Sequence, residues 1–193
     1  MKENEMTGTA TAHVLPHVNN IETLKEALPD FAKDIRLNLS GVIKADDVSG
    51  GLSLNHVMGV ALASAYATRN RTVIAALEGE TASILSPEEI NAAKAAATVM
   101  AMSNIYYRST YMVGDDEIGK LPAGLRMNVI GNPGVDKVTF ELYSLGVSAI
   151  NGCSACLAAH SKGAQAHDVS KVGVQHTLRI AAVLFAAAQA VSI

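Results

Sequence analysis

Two cysteines and a histidine stand in one short run, Cys153-Ser154-Ala155-Cys156-Leu157-Ala158-Ala159-His160, and these are the only cysteines in the chain. On a helix, residues three or four apart share a face. At about 100° per residue, the three side chains fall within a sector of roughly 60°. Sulfurs so spaced can close a disulfide with modest rotamer adjustment. His160 follows Cys156 by one turn, so its imidazole is expected to reach that sulfur directly. Gly152 ends one element and leaves Cys153 and Cys156 in the first turn of the next, where unpaired amides stabilise negative charge. A free thiol, with a pKa of about 8.5, is mostly protonated at neutral pH. A helix start and a histidine that can take the proton both favour the thiolate. Thiolates attack peroxides and disulfides, and a neighbouring thiol resolves the resulting sulfenic acid as a disulfide. Position at the helix start favours Cys153 as the more acidic thiol.

Other chemistries use similar letters. The C-x-x-C could be half of a zinc site with His160 as a third ligand, but there is no second cysteine pair, and His167 and His176 have the wrong separation for a finger. A c-type haem needs histidine directly after Cys156, where Leu157 stands. Both cysteines could also be inert core residues, since free cysteine buries well. His13, His17, His56, His167 and His176 have no partner in the sequence and read as surface or satisfied core residues. Glu141 sits on the preceding helix. If the chain folds back at Asn151-Gly152, its carboxylate can orient His160 or relay a proton through water. Otherwise it is a solvated helix carboxylate.

The elements that must position these groups read as helices. Ala is abundant, aromatics are scarce and Trp is absent, which favours helix over strand. The expected fold class is therefore all-α. Residues 1–20 read as a flexible N-terminal arm, and 21–193 as one helical domain. Asn20 is placed to cap a helix from Ile21. Pro29 can open another that carries Phe31, Ile35, Leu37 and Val42. Asp46 to Gly51 reads as a turn. Helices follow at about Leu52 to Thr68 and around Thr72 to Leu77. Ser86-Pro87-Glu88-Glu89 is a capping box with proline in the first turn, and its Ala-rich helix is expected to end near Asn104. Residues 107–135, with several Gly and two Pro, read as a connection. Asn132-Pro133 is expected to open the helix that carries Phe140, Glu141 and Tyr143. Asn151-Gly152 is a break. Helices from Cys153 to about Gln165 and from Ser170 to Ala190 close the chain.

To the eye the chain also repeats itself: Met58-Gly59-Val60-Ala61 resembles Leu145-Gly146-Val147-Ser148, and the Ala-rich helix after Leu85-Ser86 resembles the one after Val169-Ser170, at offsets of about 87 and 84 residues. An internally duplicated helical core follows, with halves at about 21–105 and 130–191. In that register Tyr66 and Arg69 occupy the first-copy positions of Cys153 and Cys156.

The formal net charge is −3, with no basic tract, which argues against nucleic acid or an anionic membrane as partner. The first twelve residues lack the charged-then-apolar pattern of a signal peptide. The apolar run from Ile180 to Ile193 is too short to span a bilayer. The cytosol, a reducing compartment, is the expected location. A lone close cysteine pair there points to redox or metal chemistry.

Phe140-Glu141-Leu142-Tyr143-Ser144, Val147 to Gly152 and the C-x-x-C-x-x-x-H together resemble the alkyl hydroperoxide reductase D (AhpD) family of the carboxymuconolactone-decarboxylase-like superfamily. Leu24 to Pro29, Ala32 to Ser40, Leu62 to Ala65, Ala67 to Asn70 and Gly124 to Asn128 resemble its other signatures, so the likeness spans roughly Ile21 to Ala190. The resemblance implies an all-helical, internally duplicated fold, usually a homotrimer. It implies peroxidase activity on hydrogen peroxide and alkyl hydroperoxides, and reduction of the peroxiredoxin AhpC. Electrons would come from a dihydrolipoyl-bearing acyltransferase, itself recharged by dihydrolipoamide dehydrogenase and ultimately by NADH, with no cofactor or metal bound to the chain itself. It makes Cys156 the attacking thiolate, Cys153 its disulfide partner, and His160 and Glu141 the proton relay. One departure stands out: the family often carries a second histidine just before the latter cysteine, where this chain has Ala155. The stretch from Ser161 to Gln175 also departs from the family pattern.

Two other functions fit the same residues. One is a redox adaptor that passes electrons between a lipoyl protein and a peroxiredoxin with little peroxidase activity of its own. The other is a lyase of the carboxymuconolactone decarboxylase branch, which would not need the dithiol.

Overall fold

The computed structural model describes residues 17–193. The arm expected over residues 1–20 lies mostly outside the described residues, and so does His13. Among the described residues there are ten α-helices, two short 3-10 turns and no strand. The all-α expectation therefore holds.

Capping residues set most of the helix starts. Helix α1 (Ile21–Ala27) begins at Asn20, whose side chain accepts from the Thr23 amide at 2.8 Å. Pro29 opens only a 3-10 turn, Asp30–Ala32, which leads into α2 (Lys33–Val42). Ser53 caps α3 (Leu54–Thr68), and Asn70 caps α4 (Arg71–Thr81). The capping box at Ser86 is present: Glu89 N–H donates to Ser86 Oγ at 3.2 Å and Ser86 N–H donates to Glu89 Oε2 at 2.7 Å.

The helix that follows, α5 (Pro87–Val113), corrects the expected end near Asn104. No Gly or Pro interrupts it until Gly114, which caps it in the left-handed conformation at φ 72°; the tyrosines and threonine near its end lower helix propensity only slightly. The expected connection over 107–135 is thus partly helical, with the rest of α5 followed by α6 (Asp116–Lys120) and α7 (Asn128–Gly131). Asn132-Pro133 does not open the next helix. Helix α8 (Lys137–Asn151) begins at Asp136, which accepts from the Thr139 amide at 2.8 Å. Gly152 ends α8, α9 runs Ser154–Gln165, and α10 runs Lys171–Ala190 from its cap Ser170.

The core forms around α3 and α8. Val57 to Ala65 of α3 are all buried, as are Leu142 to Ser148 of α8. The two helices pack on each other, and α5 and α10 each pack on both. Helix α4 leans on α3, while α9 leans on α8 and α5. The close approach of α3 to α8 needs Gly59, because a Cβ there would overlap the ring of Tyr143. The trio α3, α4, α5 begins at Leu54, Arg71 and Pro87, and the trio α8, α9, α10 at Lys137, Ser154 and Lys171. In that cap register Asn70, not Tyr66, stands opposite Cys153: each is the N-cap of the second helix of its trio. None of the described helices is long and apolar enough to cross a membrane.

Candidate active site

The site sits where α8 turns back into α9, against the middle of α5. Gly152 makes the turn at φ 66°, a conformation that disfavours other residues. Its amide donates to Ser148 O at 3.0 Å, and the Cys153 amide donates to the same carbonyl at 3.3 Å. Cys153 is then the N-cap of α9, and Cys156 lies in the first turn, as expected. The Cys156 amide donates to Cys153 Sγ at 3.3 Å, so one of the orphan amides of the helix start is spent on that sulfur. The two sulfurs are bonded to each other, with Cα atoms 5.3 Å apart. Cys153 is fully covered, whereas Cys156 is 6% exposed.

Folding back at Gly152 carries Glu141 to His160. His160 Nδ1 and Glu141 Oε2 are 2.7 Å apart, and both side chains are largely buried. This approach depends on Gly163, one turn beyond His160. A Cβ at that position would lie 2.6 Å from Glu141 Cδ.

The other ring nitrogen corrects an expectation. His160 Nε2 does not bond to Cys156 in the closed disulfide; it lies 3.2 Å from Met100 Sδ on α5. The sulfur of Met100 also receives Ser103 Oγ at 3.5 Å and Asn104 Nδ2 at 3.7 Å.

A polar chain ties α5 to the end of α8. Asn104 Nδ2 donates to Ser148 Oγ at 3.0 Å, and Asn151 Nδ2 donates to Asn104 Oδ1 at 3.0 Å. The Arg108 guanidinium donates to the Asn151 carbonyl. These bonds fix the turn from which Cys153 emerges.

A cavity of about 320 Å³ opens at the site, lined by Cys156, His160, Met100, Tyr107, Met127 and Ile130 among others. Cys153 does not line it. Tyr107 and Ala155 border both this cavity and a wider cleft of about 810 Å³ along the end of α5 and α6. Among the described residues, no group of three or more His, Cys, Asp or Glu side chains converges as metal ligands would.

Known proteins resemble the chain over nearly its whole length. It is 51% identical to "Alkyl hydroperoxide reductase AhpD" of Coxiella burnetii over 88% of this chain and 95% of the relative. It is 49% identical to the AhpD of Streptomyces coelicolor over 86% of this chain and 90% of that one. The AhpD of Azorhizobium caulinodans is 48% identical, over 89% of this chain and 92% of its own. The chain belongs to the AhpD family. Residues 116–193 also match the Carboxymuconolactone decarboxylase family, as the resemblance to that superfamily anticipated.

The four residues singled out from the sequence, Cys153, Cys156, His160 and Glu141, lie together in this member of the AhpD family. Met100, Gly163 and the chain from Asn104 to Arg108 were not anticipated. Met100 and Asn104 lie on a different helix far away in sequence. Gly163 did carry a local signal: a glycine one turn after His160 marks a place where another group approaches the helix closely. His176 is a core residue, its Nε2 3.0 Å from the Val42 carbonyl, and it does not line the cavity at Cys156. His56 and His167 take no part in the site's hydrogen bonds.

Proposed function

We propose that this chain is a thiol-dependent reductase of alkyl hydroperoxides in which Cys156 attacks the substrate and Cys153 closes the disulfide. One observation carries the reading. Of the two bonded sulfurs, only that of Cys156 belongs to a residue lining the apolar cavity, while Cys153 is covered behind it. A peroxide entering that cavity meets Cys156 first. The name of the relatives supplies the substrate class, and the Met, Ile and Ala lining suits an alkyl group.

Cys156 thiolate attacks the outer oxygen of the hydroperoxide, an S–O bond forms and the O–O bond breaks. The departing alkoxide takes a proton from His160 and leaves as the alcohol. Cys153 then loses its proton and attacks the sulfenic acid, and hydroxide leaves as water. Glu141, hydrogen-bonded to His160 Nδ1, holds the ring and shares its proton. A dihydrolipoyl dithiol reduces the disulfide by attacking Cys156 Sγ, with Cys153 as the leaving thiolate. The mixed disulfide then closes to the lipoyl disulfide.

By family likeness the donor is a dihydrolipoyl-bearing acyltransferase recharged by dihydrolipoamide dehydrogenase from NADH. The peroxiredoxin AhpC is a second electron acceptor, and the working form is a cytosolic homotrimer. Ala155, at the border of cavity and cleft, leaves the entrance open for substrates longer than the cavity itself.

The test is lipoamide-coupled consumption of an alkyl hydroperoxide. His160→Gln and Glu141→Gln are expected to lower kcat by about 10²–10⁴-fold, the usual contribution of a general acid–base group. Full rates in both variants would remove the relay from the mechanism. A mixed disulfide with AhpC without peroxide consumption would favour the adaptor function instead.

A further inference from the structure

We propose that Met100 is a positioning residue whose thioether holds the Nε2 hydrogen of His160 while the disulfide is closed, parking the imidazole between Met100 and Glu141 and off the sulfurs. The inference deepens the reading above and rests on His160 as the group that handles the proton.

A thioether can accept a hydrogen bond but has no hydrogen to give. The 3.2 Å contact between His160 Nε2 and Met100 Sδ is therefore attractive only when Nε2 carries hydrogen. Turning the ring over would place carbon atoms against both Met100 and Glu141, so the two contacts together fix its orientation. At the opposite edge, Nδ1 and Glu141 Oε2 share a further hydrogen across 2.7 Å. The resting ring thus faces α5 with Nε2 and Glu141 with Nδ1.

Met100 is itself held in place. Ser103 Oγ and Asn104 Nδ2 point at the same sulfur, and the residue is 1% exposed. It nonetheless lines the cavity beside Cys156. When the disulfide opens, the anionic sulfur of Cys156 is a stronger acceptor than a neutral thioether. The Nε2 hydrogen then moves from Met100 to Cys156 by a swing of the ring, without a change of partner at Nδ1. Met100 sets the starting point of that swing.

The experiment uses the full oxidised chain with nitrogen-labelled histidine and reads the protonation of each His160 nitrogen by NMR at neutral pH. In the unaltered protein Nε2 carries the hydrogen that faces Met100. Met100→Leu, similar in volume but unable to accept, lowers the ratio of hydrogen-bearing to bare Nε2 by about 3- to 10-fold, the weight of one modest hydrogen bond. Met100→Gln, whose amide oxygen accepts, restores it. In the coupled assay, Met100→Leu lowers kcat by a similar factor of about 3–10 with KM little changed, and Met100→Gln recovers most of the loss. A Leu variant with an unaltered His160 spectrum, or a Gln variant no better than Leu, overturns the proposal. Should the Leu variant not fold, selenomethionine labelling gives a second measurement: the selenium resonance of residue 100 must move on His160→Gln, and a fixed resonance overturns the proposal equally. Absence of peroxide turnover in the unaltered protein would defeat the proposed function, yet the NMR comparison would still decide the role of Met100.

Discussion

Glu141 reaches His160 because residue 163 has no side chain. A Cβ there would lie 2.6–2.8 Å from the Glu141 carboxyl atoms. The atom displaced is the far end of a flexible side chain, so the helix survives the substitution while the carboxylate leaves the imidazole. Gly163→Ala therefore has opposite effects on two measurements. The melting temperature stays level or rises, since alanine in a helix interior is favoured over glycine by about 0.5–1 kcal/mol. The kcat for hydroperoxide falls toward that of Glu141→Gln. A variant that melts normally and keeps full kcat would show that the Glu141 contact is dispensable. At this scale the cysteines, His160 and Glu141 were legible because they share one helix or the helix just before it. Met100 was not, since nothing local to Val99 through Ser103 on an apolar helix distinguishes a core methionine from one that receives a histidine.

Between α5, α8 and α9, the decisive contacts are polar and few. Asn104 is fully buried and bonds both Ser148 and Asn151, the latter held in turn by Arg108. Removing it strands two partners beside the turn that carries Cys153. Asn104→Ala is expected to cost about 1–3 kcal/mol in urea unfolding, the penalty for leaving buried polar groups unpaired. A loss well below that range would mean that water replaces the amide without cost. The capped helix starts at Asn20, Ser86 and Ser170 were readable, and the break at Gly152 was readable from glycine itself. The extent of α5 was not: residues 105–113 bury little, so their apolar periodicity is weak, and only the absence of a breaker before Gly114 marks the helix. Pro133 is the louder signal for the start of α8, which is why the sequence points there. The structure uses Asp136, whose carboxylate accepts from both the amide and the hydroxyl of Thr139.

In the molecule as a whole, the core of α3 and α8 mixes small residues such as Gly59, Ala61, Ser64 and Gly146 with large ones such as Met58, Leu62, Leu142 and Leu145, and Tyr143 is the bulkiest of them. Its ring is fully buried against Gly59, and its hydroxyl has no hydrogen-bond partner among the described residues. Burial, with Glu89 and Asp136 adding to it, drives the phenol pKa well above its ordinary value. Tyr143→Phe removes an unsatisfied buried group at nearly constant shape. It should raise stability by about 1 kcal/mol, or roughly 2–4 °C in melting temperature for a chain of this size. A lower melting temperature would reveal a partner for the hydroxyl. The all-α class followed from composition alone. Which helices sit at the centre did not, because α3, α5 and α10 are rich in alanine and α8 in other small and apolar residues, and only tertiary packing ranks them.

In the proposed mechanism Cys156, not Cys153, meets the peroxide. The most direct measurement treats the two single-cysteine variants, reduced, with one equivalent of alkyl hydroperoxide in the presence of a sulfenic-acid trap, followed by mass spectrometry of the labelled peptide. Cys153→Ser is predicted to be trapped at Cys156 rapidly, and Cys156→Ser to remain unlabelled at Cys153 over the same time. Rapid labelling of Cys153 in the Cys156→Ser protein, with Cys156 inert in the other variant, would contradict the account.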